Sequence, residues 1–141
     1  MVMDPCSFSY DDVLNVLLSI DPSGAVGPDD IHPCVLKNCA VFLAYPLLLI
    51  FEKSLSSGVL PVVWKDADVT PLFKKGSRYV GDNYRGVSLT SVCCKSMERL
   101  LKSHAVEYLE VNGLLSEFQF GFRKGRSTED QLLLMYDKMG K

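Results

Sequence analysis

Residues 64–89, WKDADVTPLFKKGSRYVGDNYRGVSL, decide how the rest of the chain is read. The first part, 66–73, predicts a strand, although its alternation is only half consistent. Ala67, Val69 and Pro71 fall on one side, and Asp68, Thr70 and Leu72 on the other. A basic turn follows, Lys74, Lys75, Gly76, Ser77 and Arg78, and then a second extended run through Asn83, Tyr84, Arg85, Gly86, Val87, Ser88 and Leu89. Glycine lets the backbone turn tightly while two ammonium groups stay mobile at the tip. Arg85 lies on the return arm, and its planar guanidinium suits phosphate oxygens. A hairpin with these cations can close over a polyphosphate.

The surrounding composition is that of a globular protein: 141 residues, 48% hydrophobic and 23% charged. That length fits one domain or part of one. The net charge of −2 conceals an asymmetry. Residues 1–64 hold two basic against seven acidic side chains, whereas 65–141 hold thirteen against ten. The basic groups therefore gather around the hairpin, as a nucleic-acid partner requires, although solvated helix faces also carry such an excess. The five cysteines form no Cys-x-x-Cys pair and read as reduced thiols. His32, Cys34 and Cys39 have no fourth ligand at a finger-like spacing, so no metal site is assigned to them. The N-terminus shows no secretory signal, and the apolar run 40–51 is too short to span a bilayer and contains Pro46. A cytoplasmic or nuclear location and no membrane partner are expected.

Before the hairpin, 9–20 predicts a helix capped by Ser9, with Asp11 and Asp12 in its first turn and Val13, Leu14, Leu17 and Leu18 as its apolar stripe. A Gly/Pro-rich loop, 21–28, follows. Asp29 and Asp30 are expected to cap a short helix in which Pro33 sits early and Leu36 faces inward. Residues 40–57 predict a helix apolar nearly all round, hence covered on most sides, ending at Gly58. Trp64 reads as a packing anchor. After the hairpin, 90–112 predicts a long helix with Val92, Met97, Leu100, Leu101, Ala105, Tyr108 and Leu109 at three- and four-residue spacing. Its Lys95, Arg99 and Lys102 either follow a nucleic-acid backbone or form a solvated face. His104 has no expected chemical role. Phe118, Phe120 and Phe122 alternate, for core packing or for stacking on bases. Arg123, Lys124 and Arg126 form a short cluster suited to template phosphates. Ser127 or Thr128 caps a last helix, with Leu132, Leu133, Met135, Tyr136 and Met139 as its expected buried positions.

Several of these runs together resemble the reverse transcriptases of LINE-type (non-LTR) retrotransposons. They are Gly27-Pro28-Asp29-Asp30-Ile31, Leu36-Lys37, Trp64-Lys65, Val69 to Gly76, Asn83 to Leu89, and Gln119 to Thr128. The resemblance runs from about Gly27 to the C-terminus, and the order of the motifs is more specific than any one of them. It implies an α+β fold: a mostly helical fingers region with a small antiparallel hairpin, part of a reverse transcriptase-like fold. Residues 1–26 would be an N-terminal helix and loop, and 27–141 a partial reverse transcriptase domain, fingers and the start of the palm. It further implies that Lys74 or Lys75 and Arg85 hold the triphosphate of an incoming dNTP. Gln119, Gly121, Arg123, Lys124 and Arg126 would help place the template. The implied partners are an RNA template, a DNA primer and dNTP.

Nucleotidyl transfer in such enzymes uses Mg²⁺ held by palm carboxylates, two of them in a Tyr-x-Asp-Asp turn. Neither that turn nor the earlier palm motif is found in this sequence. Asp66 and Asp68 could mimic a metal pair but match no metal position of the family. No catalytic or metal-binding residue is therefore assigned, and the chain is expected to be a polymerase fragment inactive alone. The alternatives are a non-catalytic RNA- or DNA-binding module and a non-functional retroelement remnant. Two positions depart from the family pattern: Gly86 stands where proline is usual, and Asp30 where glycine is common.

Overall fold

Ser9 begins the first helix as expected, and the local chemistry is complete. In this computed structural model, which describes residues 6–116, 118–121, 123 and 125–139, α1 spans Tyr10–Leu18. The Ser9 Oγ accepts from the Asp12 backbone N–H at 3.1 Å, and the Asp12 carboxylate accepts from the Ser9 backbone N–H at 2.9 Å. This reciprocal pair satisfies two of the donors that a helix start leaves open. Those hydrogen bonds also hold the Asp12 carboxyl below its usual range. The buried stripe is Val13, Val16 and Leu17, while Leu18 is 47% exposed, so the apolar face is rotated from the expected one.

The far end of α1 is capped by cations from elsewhere in the chain. Lys37 Nζ donates to the Ile20 carbonyl at 3.0 Å, and Arg99 donates to Ser19 Oγ at 2.8 Å. Positive charge at a helix C-terminus complements the free carbonyls there. Arg99 is therefore occupied by α1, which separates it from the expected Lys95–Arg99–Lys102 row.

α2 (Pro33–Asn38) begins with proline at its first turn. Its cap is His32, whose Nδ1 accepts from the Cys34 N–H at 3.2 Å, and neither Asp29 nor Asp30 fills that role. Asp30 instead adopts a left-handed backbone, φ 54°. That conformation is costly for most side chains, tolerated by aspartate and free for glycine. The turn where glycine was the expected residue thus forms, with aspartate in the glycine conformation.

α3 (Ala40–Ser57) runs through Pro46 without a break and ends at Gly58, which is left-handed at φ 66°. Ala40, Ala44, Leu47, Leu48, Phe51 and Ser54 are buried on one face. Val41, Phe42, Tyr45, Leu49 and Ile50 are exposed, so α3 is covered on one side and not on most sides. The helix is long and apolar enough to cross a membrane by length and composition, a test that the core helices of soluble proteins also pass. Phe51 is fully buried between Phe8 (ring centroids 6.3 Å apart) and Trp64 (5.8 Å), both edge-on. Trp64 is the packing anchor read from the sequence.

Residues of α1, α2, α3 and the start of α4 (Val92–Val111) build one core: Val13, Leu17, Leu36, Phe51, Val92, Cys93 and Met97 all belong to it. Residues before and after Gly27 share it. The chain divides into two compact units, 1–104 and 105–141. The second holds the end of α4 and α5 (Thr128–Met139). Ser127 caps α5 through a reciprocal pair with Asp130, at 3.1 and 3.2 Å. The expected buried positions of that helix, Leu132, Leu133, Met135, Tyr136 and Met139, are all exposed. An amphipathic pattern names the face a helix can bury and supplies nothing to bury it against.

Cys93 is buried in the core, and its thiol is pushed up to about 11 by desolvation first and then by the nearby Asp29 carboxylate, against a lowering hydrogen bond to Ser91. A raised folded-state pKa means that the unfolded chain loses its proton first. The stabilisation is full below the thiol's ordinary value of 9.0 and is lost as pH rises from there through about 11. Urea unfolding across that window should show the wild-type chain losing stability that a Cys93→Ala chain does not lose. Parallel curves would assign the alkaline loss to other groups.

Candidate nucleotide-binding hairpin

β1 (Ala67–Phe73) and β2 (Tyr84–Thr90) pair antiparallel, with Ala67 opposite Thr90 and Phe73 opposite Tyr84. The Lys74 N–H donates to the Asn83 carbonyl at 2.7 Å, which continues the ladder by one hydrogen bond, while the Asn83 N–H turns to the Val80 carbonyl. Alternation then makes Leu72–Arg85 hydrogen-bonded and Pro71–Gly86 non-hydrogen-bonded. Pro71 can therefore sit in the strand without removing a ladder bond, and it blunts the open edge of β1. The N–H of Gly86 likewise points away from β1. Proline at 86 would cost the ladder nothing and would restrict the unfolded chain. A Cβ at 86 would stand 3.1 Å from Val69 Cγ1, so Val69 must give by a few tenths of an ångström. Val69 is exposed and can turn away, and Gly86→Pro should then raise the unfolding free energy by at most about 0.4–1 kcal/mol. A loss of stability in urea unfolding would show that Val69 does not yield or that β2 cannot take the proline φ.

The connection between the strands differs from the expected tight lysine turn. The strands end at Phe73 and Tyr84, and residues 74–83 form an ordered loop. Asn83 braces it, donating from Nδ2 to the Ser77 carbonyl at 2.8 Å. Gly76 is left-handed, φ 86°, and any Cβ there would fall 2.7–2.9 Å from the Asn83 amide. Lys74 and Lys75 thus leave the strand end beside a folded loop and do not form the tip of a tight turn.

The register gives the hairpin two faces. Because paired residues share a face, Leu72, Arg85, Thr70 and Val87 lie on one, and Lys74 follows Leu72 on it. Lys74 and Arg85 are diagonal neighbours, a relation in which residues stand about 7–8 Å apart, with their Cβ atoms somewhat closer. Both are exposed, as is Lys75 in the bend. Among the described residues, none of these three side chains makes a hydrogen bond or ion pair. The other face carries Phe73 and Tyr84, ring centroids 5.5 Å apart and edge-on, with the Arg78 guanidinium 5.4 Å from the Phe73 centroid.

The hairpin is held at its base. Gly27 packs against the end of β2: a Cβ there would lie 2.6 Å from the Thr90 carbonyl oxygen and 2.8 Å from the Ser91 nitrogen. The residue after next, Asp29, accepts from the Ile31 N–H at 3.4 Å, and its other oxygen is buried without a hydrogen-bond partner among the described residues. The only sequence signal for this contact was the Gly27-Pro28-Asp29-Asp30 run itself, which says nothing of what lies beneath it.

In the second unit, Arg123 donates to the Ser116 carbonyl at 3.2 Å and is half-buried, and the Arg126 guanidinium lies 5.1 Å from the Phe120 centroid. Both are thus partly engaged by their own segment. Gln119 is exposed, and Gly121 has open space around its missing Cβ. Lys124 and Phe122 lie outside the described residues. Phe120 is buried, whereas Phe118 is 59% exposed with Lys138 Nζ 3.8 Å from its ring centroid, so these two phenylalanines are not covered alike.

No three His, Cys, Asp or Glu side chains gather as a metal site among the described residues. An open apolar hollow of about 610 Å³ lies at the end of α3, lined by Leu49, Ile50, Val59 and Leu60. Lys53 is its one cation, so it does not fit a phosphate.

No protein-family model matches the chain. Over 125 residues it is 30% identical to the RNA-directed DNA polymerase from mobile element jockey of Drosophila melanogaster, covering 88% of this chain and 14% of that protein. It is 28% identical over 123 residues to the probable RNA-directed DNA polymerase from transposon BS, covering 86% of this chain and 14% of that protein. A third relative, the probable RNA-directed DNA polymerase from transposon X-element, is 29% identical over 130 residues, 92% of this chain and 14% of the protein. Both of these are also from Drosophila melanogaster. This chain is related to the polymerases of LINE-type retrotransposons. A match covering 92% of 141 residues includes the hairpin wherever its ends fall. The chain spans about 14% of the length of these polymerases, so it corresponds to one part of such a protein.

Proposed function

We propose that this chain is the nucleotide- and template-positioning part of an RNA-directed DNA polymerase of a non-LTR retrotransposon, with a reverse transcriptase-like fold around its hairpin. The observation that carries this reading is the register placing Lys74 and Arg85 on one exposed hairpin face, without partners among the described residues, in a polymerase relative. An ammonium and a guanidinium held there can neutralise charge on a dNTP triphosphate as pyrophosphate leaves. Arg85 supplies the directional fork, and Lys74 the compact point charge. Lys75, in the bend, is the weaker candidate because alternation does not carry it onto the same face.

Gln119, Gly121, Arg123, Lys124 and Arg126 are proposed to meet the template, with Arg123 and Arg126 shifting from their present carbonyl and ring contacts to phosphates. Mg²⁺ belongs to the reaction, and we assign no ligand for it here, because the sequence contains no Tyr-x-Asp-Asp turn. The RNA template and DNA primer are partners of the reaction as a whole.

The test is a dNTP titration followed by amide NMR shifts. Shifts should concentrate at Lys74, Arg85 and their neighbours and vanish with a deoxynucleoside lacking phosphates. Removing Arg85 as Arg85→Gln should weaken the interaction about ten-fold or more, the scale of a charge-assisted hydrogen bond. Unchanged affinity would reject the assignment.

A further inference from the structure

Tyr79 is fully exposed, at 100%, in a loop that is otherwise pinned. The Arg78 carbonyl accepts from the Tyr84 hydroxyl at 2.9 Å, and the Arg78 guanidinium lies over Phe73. The Tyr79 N–H donates to Ser77 Oγ at 3.3 Å, the Val80 N–H to the Ser77 carbonyl at 3.4 Å, and the Asn83 N–H to the Val80 carbonyl at 3.1 Å. A large aromatic ring is thus presented to solvent from a backbone fixed on both sides. Ordering such a ring on a ligand loses little entropy, because the loop is already ordered and tyrosine has only two χ angles.

What could use it is limited by its surroundings. Between 74 and 85 the chain carries Lys74, Lys75, Arg78 and Arg85 against one acid, Asp82. A protruding aromatic ring in a cationic loop, beside an arginine already aligned with another ring, suits a flat, electron-rich group linked to phosphates. An unpaired nucleobase in a single strand has that chemistry: its face stacks on the ring, and its flanking phosphates meet Arg78 and Lys75, the loop cations outside the Lys74–Arg85 face.

We propose that Tyr79, supported by Arg78, Phe73 and Tyr84, is a stacking platform for one unpaired base of single-stranded nucleic acid. It is separate from the Lys74–Arg85 face, and it rests on the reading of this hairpin as part of a template-copying polymerase. The hairpin then has two functions, a phosphate-binding face and a base-binding loop.

The experiment compares binding of a fluorescent single-stranded RNA 10-mer with that of an abasic strand of the same length, using the full 141-residue chain. Tyr79→Ala should weaken the base-bearing strand about ten-fold or more and leave the abasic strand unchanged, and Tyr79→Phe should restore binding. The salt slope, near −0.7 per phosphate contact, should survive Tyr79→Ala. Equal affinity of the wild-type chain for both strands, or a Tyr79→Ala loss that is the same for both, overturns the platform and leaves the ring to a protein surface. The triphosphate reading is judged apart, by the dNTP shifts at Lys74 and Arg85. Shifts there without base-dependent RNA binding sink the platform alone, and base-dependent binding without shifts sinks the triphosphate assignment alone.

Discussion

Phe51→Ala should destabilise the first unit by about 3–5 kcal/mol, the cost of removing a buried aromatic side chain. Phe51 is fully buried and is the ring on which two others rest, Phe8 from the segment preceding α1 and Trp64 from the short 3-10 turn before β1. Deleting it leaves a void and removes two edge-on ring contacts, each worth about 0.5–1.5 kcal/mol beyond area burial. Small domains are stable by about 5–15 kcal/mol, so this single change consumes a large part of the margin. It also loosens Trp64, and with it the entry to the hairpin. Urea unfolding followed by circular dichroism measures the loss. Phe42→Ala is the control: it lies on the same helix but is 81% exposed, and should stay within about 0.5 kcal/mol of wild type. If the two variants cost the same, the core assigned to this face of α3 is wrong.

That contrast shows where the sequence was legible and where it was not. The ends of α3 could be read, because Gly58 is a left-handed cap with a local chemical cause. The Ser9–Asp12 and Ser127–Asp130 caps could be read for the same reason: they involve residues three apart. The side of α3 that is covered could not. Phe42 and Phe51 are equally apolar, and only the position of α1 and Trp64 distinguishes them. α5 makes the point more strongly, since its whole predicted stripe is exposed. His32 as a cap was missed because Asp29 and Asp30, better cap residues by type, stand just upstream. The two strands were legible from turn and strand chemistry, but the long loop between them was not. Its order depends on Asn83 reaching back to Ser77, a contact with no periodic signature. Of the proposed site, the identities of the three cations were readable. Which lysine shares a face with Arg85 needed the register.

Gly27→Ala should cost about 2–3 kcal/mol, the upper part of the range for forcing extra atoms into a packed site. The cost is high because the obstacles are backbone atoms. Added to the present backbone, the Cβ would stand 2.6 Å from the Thr90 oxygen, 2.7 Å from its carbonyl carbon and 2.8 Å from the Ser91 nitrogen. A flexible side chain could turn away from such a methyl group, but here the strand end or the loop must move. Thr90 ends β2 and Ser91 precedes α4, so a displacement is transmitted to the hairpin's base. The hairpin's residues are largely exposed, and little else would resist its tilting. Hydrogen exchange should therefore speed up in 67–90 and at the start of α4, while Val13, Leu17 and Phe51 stay protected. The same variant should weaken dNTP-dependent shifts at Lys74 and Arg85 even though neither residue is altered. Asp30→Gly acts in the opposite sense on the same loop: it relieves the left-handed φ of 54° and should stabilise by a few tenths of a kcal/mol up to about 1. A Gly27→Ala chain with wild-type stability and exchange would mean that the loop and the hairpin base are not in contact. The orientation of the cationic face would then have to be set by something else.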